Sequence, residues 1–313
     1  MSQGSRIEVL KDRAFMLRKA RSFFHERAVL EVDCPILSQF AAVDAYIDLI
    51  PAKVAHTTDC FLHSSPEYGM KRLLAEGMPD IYSISHVFRD GEYGHKHNPE
   101  FMMVEWYRLG MPFQELITET LEFVQLFFES LPKVVLSYKE AFTHFAGFDP
   151  FEISDSALEK RLHELDSFAK ADSRDDCLNY ILALQVEPHL GKDSLCALAY
   201  YPQTQAALAK TTQIEGVKVA ERFEVYYQGV ELANGYHELQ DAKEQLRRFQ
   251  EANILREKLH KKSLPIDMRF IQALENNGLP ACSGVAVGFD RLMMLRHKKN
   301  RLADIMPFDY QLA

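Results

Sequence analysis

The chain of 313 residues is 47% apolar and 26% charged, an ordinary globular composition with enough length to bury a large core. Lys and Arg number 36 against 45 Asp and Glu, and the formal net charge of -9 argues against a long nucleic-acid footprint, because proteins that track a phosphate backbone present basic surface that releases counterions. Cys34, Cys60, Cys177, Cys196 and Cys282 form no CxxC pair, no stretch approaches ~20 consecutive apolar residues, and MSQGSRIEVLKDR lacks a signal-peptide core, which sets aside zinc, redox-motif and membrane classes and leaves a reduced cytoplasmic protein.

From Ile7 onward, Leu10, Ala14, Leu17 and Phe24 recur at helical spacing and predict an amphipathic first helix. Runs prone to form strands follow at 29–32 and 45–50, then a helix over 66–76 that carries Tyr68, Lys71 and Leu74. Strands at 80–89 and 101–109, joined by the polar loop DGEYGHKHNP, read as a long antiparallel hairpin. A helix over 114–130 puts Leu116, Leu121, Val124 and Phe128 on one face, and 142–193 reads as an acidic helical insertion with no chemistry. Strands return at 222–227 and 230–233 around a Gln228-Gly229 turn. Asp241 and Glu244 form a capping box for a helix reaching 262, and a strand over 283–287 passes through Gly288 into a helix beginning near Asp290. Strands joined mostly as hairpins, with helices beside them, predict an α+β fold; without a repeat or linker, 1–313 is expected to be one domain.

Three segments carry chemistry. In FRDGEYGHKHNPEFMMVEWY, strand alternation puts Phe101, Glu105 and Tyr107 on one face, and Arg89 extends the preceding strand. A carboxylate buried beside Trp106 costs several kcal/mol unless a cation or donors compensate, so this segment either binds a cation or simply pairs Arg89 with Glu105. In RFEVYYQGVELANGYHEL, Glu224, Glu231 and Glu238 recur every seven residues near Asn234, a set of oxygen donors suited to a hard cation, with exposed hairpin glutamates as the plainer explanation. In SGVAVGFDRLMML, the small residues Gly284, Ala286 and Gly288 let a ligand approach the strand, or let a helix pack closely, and Arg291 sits in the first turn of the next helix.

VLEVDCP with Pro35, the 88–107 segment, and GVAVGFDRL with Arg291 stand in the order of motifs 1, 2 and 3, and in them the chain resembles the catalytic core of class II aminoacyl-tRNA synthetases. SSPEYGMKRL, HNPEF, YPQTQAALAK, RFEVYYQGVELANGYHEL and CSGVAVGFDRL narrow the resemblance to the lysyl branch, and most closely to the elongation factor P (R)-β-lysine ligases. The likeness spans nearly the whole chain and thins between 154 and 193. It implies an antiparallel sheet flanked by helices, ATP and Mg²⁺ as cofactors, and activation of (R)-β-lysine or lysine as the adenylate. It further implies transfer to a lysine ε-amine of elongation factor P, and a homodimer formed through the first helix and the VLEVDCP strand.

Carried over residue by residue, the resemblance makes Arg89 and Arg291 the catalytic pair. Arg89 would grip the substrate carboxylate and α-phosphate, and Phe101 with Arg291 would sandwich the adenine. Asp90, Gly91, Glu92, His97, Asn98, Val225 and Gly288 complete the ATP site, and Glu224 with Glu231 would hold Mg²⁺. Ser65, Pro66 and Glu67 would meet the amino group near the reacting end, while Glu238, with Glu105 and Tyr107, would read the distal ammonium. Asn234 and Ala286 finish the substrate pocket. Ala286 stands where lysyl-tRNA synthetases normally have glycine, and Gly91 where many motif 2 sequences have glutamate. There is no room before Ile7 for an anticodon-binding domain, so tRNA charging is not expected. A truncated lysyl-tRNA synthetase and a non-catalytic amino-acid-sensing paralogue are the alternatives.

Overall fold

The structure, a computed structural model, describes residues 3–40, 42–54 and 60–313. The chain opens with helix α1 (Gln3–His25) and the short strands β1 (Leu30–Glu31), β2 (Leu37–Ser38), β3 (Pro51–Ala52) and β4 (Cys60–Leu62). Helix α2 (Glu67–Ala75) precedes the hairpin β5 (Ile81–Phe88) and β6 (Glu100–Leu109). Then come α3 (Phe113–Gln125), β7 (Lys133–Ser137), α4 (Tyr138–Ala141), α5 (Asp155–Leu165) and α6 (Arg174–Ile181). The strands β8 (Leu195–Pro202), β9 (Thr211–Ile214), β10 (Val217–Tyr227) and β11 (Val230–His237) follow, and the chain closes with α7 (Ala242–Lys258), α8 (Met268–Asn276), β12 (Cys282–Gly288) and α9 (Phe289–Arg296). This is an α+β fold. Among the described residues no helix is long and apolar enough to cross a membrane.

The chain, read above without a linker, divides into two compact units, Met1–Pro112 with Glu238–Ala313, and Phe113–His237. In the first unit β6 pairs antiparallel with β5 on one side and β12 on the other, while β1 runs parallel to β5. Phe24 of α1 stacks on Tyr82 with ring centroids 4.2 Å apart and meets Trp106 edge-on, which seats α1 on this sheet. Tyr68 of α2 stacks on Phe270 of α8 at 4.7 Å, and its hydroxyl accepts from Val43 N. The run at 45–50 is not a strand. The Asp44 carboxylate accepts from the N–H groups of Tyr46 and Ile47, turning the backbone locally instead of leaving it to a ladder. Buried Arg256, at the end of α7, then donates to the carbonyls of Asp44 and Ile47 and to the Asp48 carboxylate. Asp48 O in turn accepts from Asp90 N, so this clamp reaches the start of the loop between β5 and β6.

In the second unit β10 lies between β8 and β11, with β9 paired along its first residues and β7 parallel to β8. Gln228 and Gly229 both take positive φ, at 51° and 65°, the geometry of a tight two-residue hairpin turn between β10 and β11. The stretch 142–193 is helical, broken by π turns at Phe142–Ala146 and Leu182–Val186, and it buries Phe142, Leu158, Leu162, Leu178 and Ile181 with Tyr138 and Leu198. Helix α3 ends five residues early, at Gln125, whose side chain turns to the carbonyls of Phe128 and Glu129. Asp241 caps α7 through Lys243 N and Glu244 N, but the Glu244 carboxylate is taken by Arg247 and Arg248, so half of the expected capping box forms.

Candidate active site

Strand alternation along β6 places Phe101, Met103, Glu105 and Tyr107 on one face. The register sets Ser83 and Ala286 on either side of Glu105 and Gly284 beside Tyr107. Helix α2, with Pro66 at its N-cap, brings Glu67 and Lys71 to the same chamber, one turn apart. Glu105 accepts from Ser65 Oγ and from Tyr107 OH, each at 2.7 Å. Lys71 donates to Glu67 and forms an ion pair with Glu238 Oε2 at 2.6 Å. Glu105, Glu238 and Lys71 are each only 1–2% exposed. Gly284 is required here: a Cβ would come within 2.3 Å of the Tyr107 ring and 2.6 Å of Glu238 Oε1. The Tyr107 ring and the Glu238 carboxylate fill the space that this glycine leaves.

These groups perturb one another. Burial and the nearby Glu67 carboxylate push Glu105 up to about 7, against the bonds from Ser65 and Tyr107. Burial lifts Glu238 to about 8, with Lys71 opposing the rise and Glu67 adding to it. For Lys71 burial works against the charge, but Glu238 and Glu67 outweigh it and hold the ammonium protonated. The three carboxylates around Lys71 thus form a desolvated acidic cluster whose charge is only partly matched within the protein.

Further along the hairpin, Arg89 sits with its guanidinium over the Phe101 ring at 5.1 Å and 3.6 Å from Glu92, and its buried Nε has no hydrogen-bond partner. Asp90 turns its carboxylate to Gly91 N. Gly91 has φ +73°, a left-handed conformation that disfavours a glutamate side chain, and Glu92 is the carboxylate that meets Arg89. Arg291 Nη2 lies 2.9 Å from His97 Nε2; burial first, then the Arg291 charge, keep His97 below its usual range and hence neutral as an acceptor. The Asn98 amide is engaged at both ends, by Glu100 O and Tyr310 N, and thereby holds the loop. Gly288 caps α9, where a Cβ would meet only ordinary contacts with Arg291. Asp290, which the sequence marks only as the start of that helix, anchors it: it pairs with buried Arg13 and accepts from Met102 N at 2.6 Å.

In the second unit, Glu224 pairs across the hairpin with Asn234, and Glu231 with Tyr226. Glu224 is buried; it accepts from Tyr201 OH at 2.6 Å and from Tyr226 OH, and faces Arg222. Asn234 donates to Tyr236 OH at 2.8 Å while its buried Oδ1 has no partner. Val225 is fully buried between its strand neighbours Ala197 and Ala233. Among the described residues no cluster of three or more His, Cys, Asp or Glu is arranged for a metal. An orphaned amide oxygen opposite a carboxylate is nevertheless a hard-oxygen donor set, and Mg²⁺ commonly takes one or two carboxylates and completes its shell with phosphates and water.

Residues 2–311 match the family model described as tRNA synthetases class II (D, K and N). Three curated relatives, each named elongation factor P--(R)-beta-lysine ligase, align along almost their whole length. The Pasteurella multocida protein is 40% identical over 98% of this chain and 96% of its own. The Haemophilus ducreyi protein is 41% identical over 98% and 95%, and the Yersinia enterocolitica protein 41% identical over 96% and 94%.

Proposed function

Because the chain belongs to the class II tRNA synthetases of the D, K and N group, we propose that it is a ligase that activates (R)-β-lysine or lysine with ATP and transfers it to a lysine ε-amine of elongation factor P. The observation that carries this reading is the cluster of buried Glu105 and Glu238 with half-buried Glu67, an acidic seat for an aliphatic diamine, in which Glu105 stands on the hairpin that carries Arg89.

In the first step the amino-acid carboxylate attacks the α-phosphorus of ATP and pyrophosphate leaves, giving an acyl adenylate. In the second the acceptor ε-amine attacks the activated carbonyl, AMP departs, an amide forms and the amine loses its proton. Arg89 grips the reacting carboxylate and the α-phosphate, a role supported by its unpartnered Nε. Phe101 and Arg291 hold the adenine by stacking, and neutral His97 orients the Arg291 guanidinium. Glu105, Tyr107 and Glu238 hold the distal ammonium, Ser65 and Glu67 the amine near the reacting end, and Ala286, beside Glu105, limits room at the pocket wall. Glu224 and Glu231 would hold Mg²⁺, which would supply charge neutralisation to phosphate oxygens, and Asn234 stays with the substrate pocket. Catalysis rests on positioning and charge stabilisation, with no enzyme nucleophile.

Exposed Leu30, Ile36 and Leu37 flank Pro35 and support a homodimer formed through β1 and α1. Five free thiols support a cytoplasmic site. The test is incubation with ATP, Mg²⁺, (R)-β-lysine and elongation factor P: one lysyl group should appear on a single lysine of the factor, with total tRNA uncharged in a parallel reaction. Charged tRNA with an unmodified factor would replace this reading with a lysyl-tRNA synthetase.

A further inference from the structure

The chamber contains a lysine of its own. Lys71 is 1% exposed, bridges Glu67 on its own helix and Glu238, and faces the Tyr107 ring at 5.8 Å. Against it stand three carboxylates, Glu67, Glu105 and Glu238, so with all of them ionised the fixed charge sums to two negatives. We propose that Lys71 is a positioning residue, a built-in counter-cation that holds Glu67 and Glu238 in place and leaves the chamber short of neutrality by the two positive charges that a diamino acid brings. This deepens the function proposed above and rests on it.

Buried charge is tolerated when it is matched. A ligand with one ammonium would leave a buried negative charge unpaired, whereas a ligand with two balances both. When the chamber is empty, protons do part of that work, which agrees with the raised Glu105 and Glu238. The other titratable groups facing it do not compete. Burial and the surrounding carboxylates raise Tyr107 on β6 and Cys282 on β12, and burial lifts Cys34, following β1, to about 11. All three stay neutral across the working range. Without Lys71 the carboxylates lose their internal cation, their affinity for protons rises, and the diamino acid must displace those protons.

The experiment is Lys71→Met, a neutral side chain of similar length, assayed by ATP–pyrophosphate exchange with the diamino acid between about pH 6 and 9. Near pH 7 the KM for the amino acid should rise at least about tenfold, the equivalent of one unit of carboxylate shift, with the KM for ATP within about threefold of wild type. The deficit should close as the pH is raised, because hydroxide removes the competing protons; a packing defect would persist at every pH. Should the variant fail to fold, calorimetric titration of the wild type in buffers of different ionisation enthalpy reads the same charge balance. Binding near pH 7 should release about one proton per diamino acid. Unchanged KM or a pH-independent loss overturns the role of Lys71, and so does release of two or more protons per diamino acid in the titration, the mark of carboxylates with no working counter-cation. Wild-type protein that exchanges with no diamino acid overturns the functional reading and this proposal with it, while wild-type exchange beside an unshifted variant overturns Lys71 alone.

Discussion

Gly284→Ala tests the chamber through one methyl group. Its Cβ would lie 2.3 and 2.4 Å from two Tyr107 ring carbons and 2.6 Å from Glu238 Oε1, where carbon atoms normally rest about 3.5–4.0 Å apart. The ring must move by more than about 1 Å and the carboxylate by several tenths of an ångström. Tyr107 is 3% exposed and bonded to Glu105, and Glu238 is 1% exposed and paired with Lys71, so neither has free space or a spare partner. Overpacking of this kind costs roughly 1–3 kcal/mol of stability. Disturbing a buried charge-assisted contact costs about 2–5 kcal/mol in ligand binding, which is at least about 30-fold in affinity. Phe101 lies six residues from Tyr107 along the same strand, about 20 Å away, so the ATP end should be spared. ATP–pyrophosphate exchange, with the amino acid and ATP varied separately, should show a KM for the amino acid raised at least about 30-fold and a KM for ATP within about threefold. Thermal melts check folding. A variant that melts like wild type and keeps its KM for the amino acid would refute the packing argument.

Glu238→Gln should raise the KM for the lysine-type substrate by a similar factor, worth about 2–5 kcal/mol, with ATP binding retained; an unchanged substrate titration would remove Glu238 from the pocket. Arg13→Met leaves Asp290 buried with its charge unmatched and should cost about 3–5 kcal/mol in a urea unfolding experiment, whereas a loss under about 1 kcal/mol would make this ion pair incidental. The KM for ATP should stay flat through the ordinary histidine range and rise only at lower pH. There His97, depressed by burial and by Arg291, protonates, loses its acceptor lone pair and repels both Arg291 and Arg89, with Glu92 partly compensating. His97→Asn should abolish that limb; a rise in KM within the ordinary range would show that His97 does not govern it.

The hairpin from 81 to 109 could be read from alternation alone because one face is chemical and the other packs, and the Gln228-Gly229 turn because both residues tolerate positive φ. Capping by Asp241 was equally plain, since the rule is local. Pairings that depend on distant partners were hidden. The strands at Lys133–Ser137 and Leu195–Pro202 join in parallel across an insertion of helices, and the buried run LCALAYYP has no alternation to separate strand from helix. The sequence presents Lys71 only as a helix residue. The i, i+4 spacing from Glu67 was visible, but Glu238, the partner that gives it a role, stands far along the chain. Gly284 pointed to a close approach, and only the register of β12 against β6 identified Tyr107 as what approaches.

The interrupted first unit has a consequence for how the chain comes off the ribosome. Phe113–His237 is continuous and can close once its last strand has emerged. Its predecessor cannot: through that whole interval Lys71 and Glu67 wait without Glu238, β6 lacks β12 along one edge, and Asp44, Ile47 and Asp48 lack Arg256. An open strand edge and a half-built ionic cluster are the surfaces that invite wrong pairing. The acid-rich chamber is thus sealed among the last events of synthesis, and a chain stopped near residue 237 would carry one finished unit and an unfinished pocket.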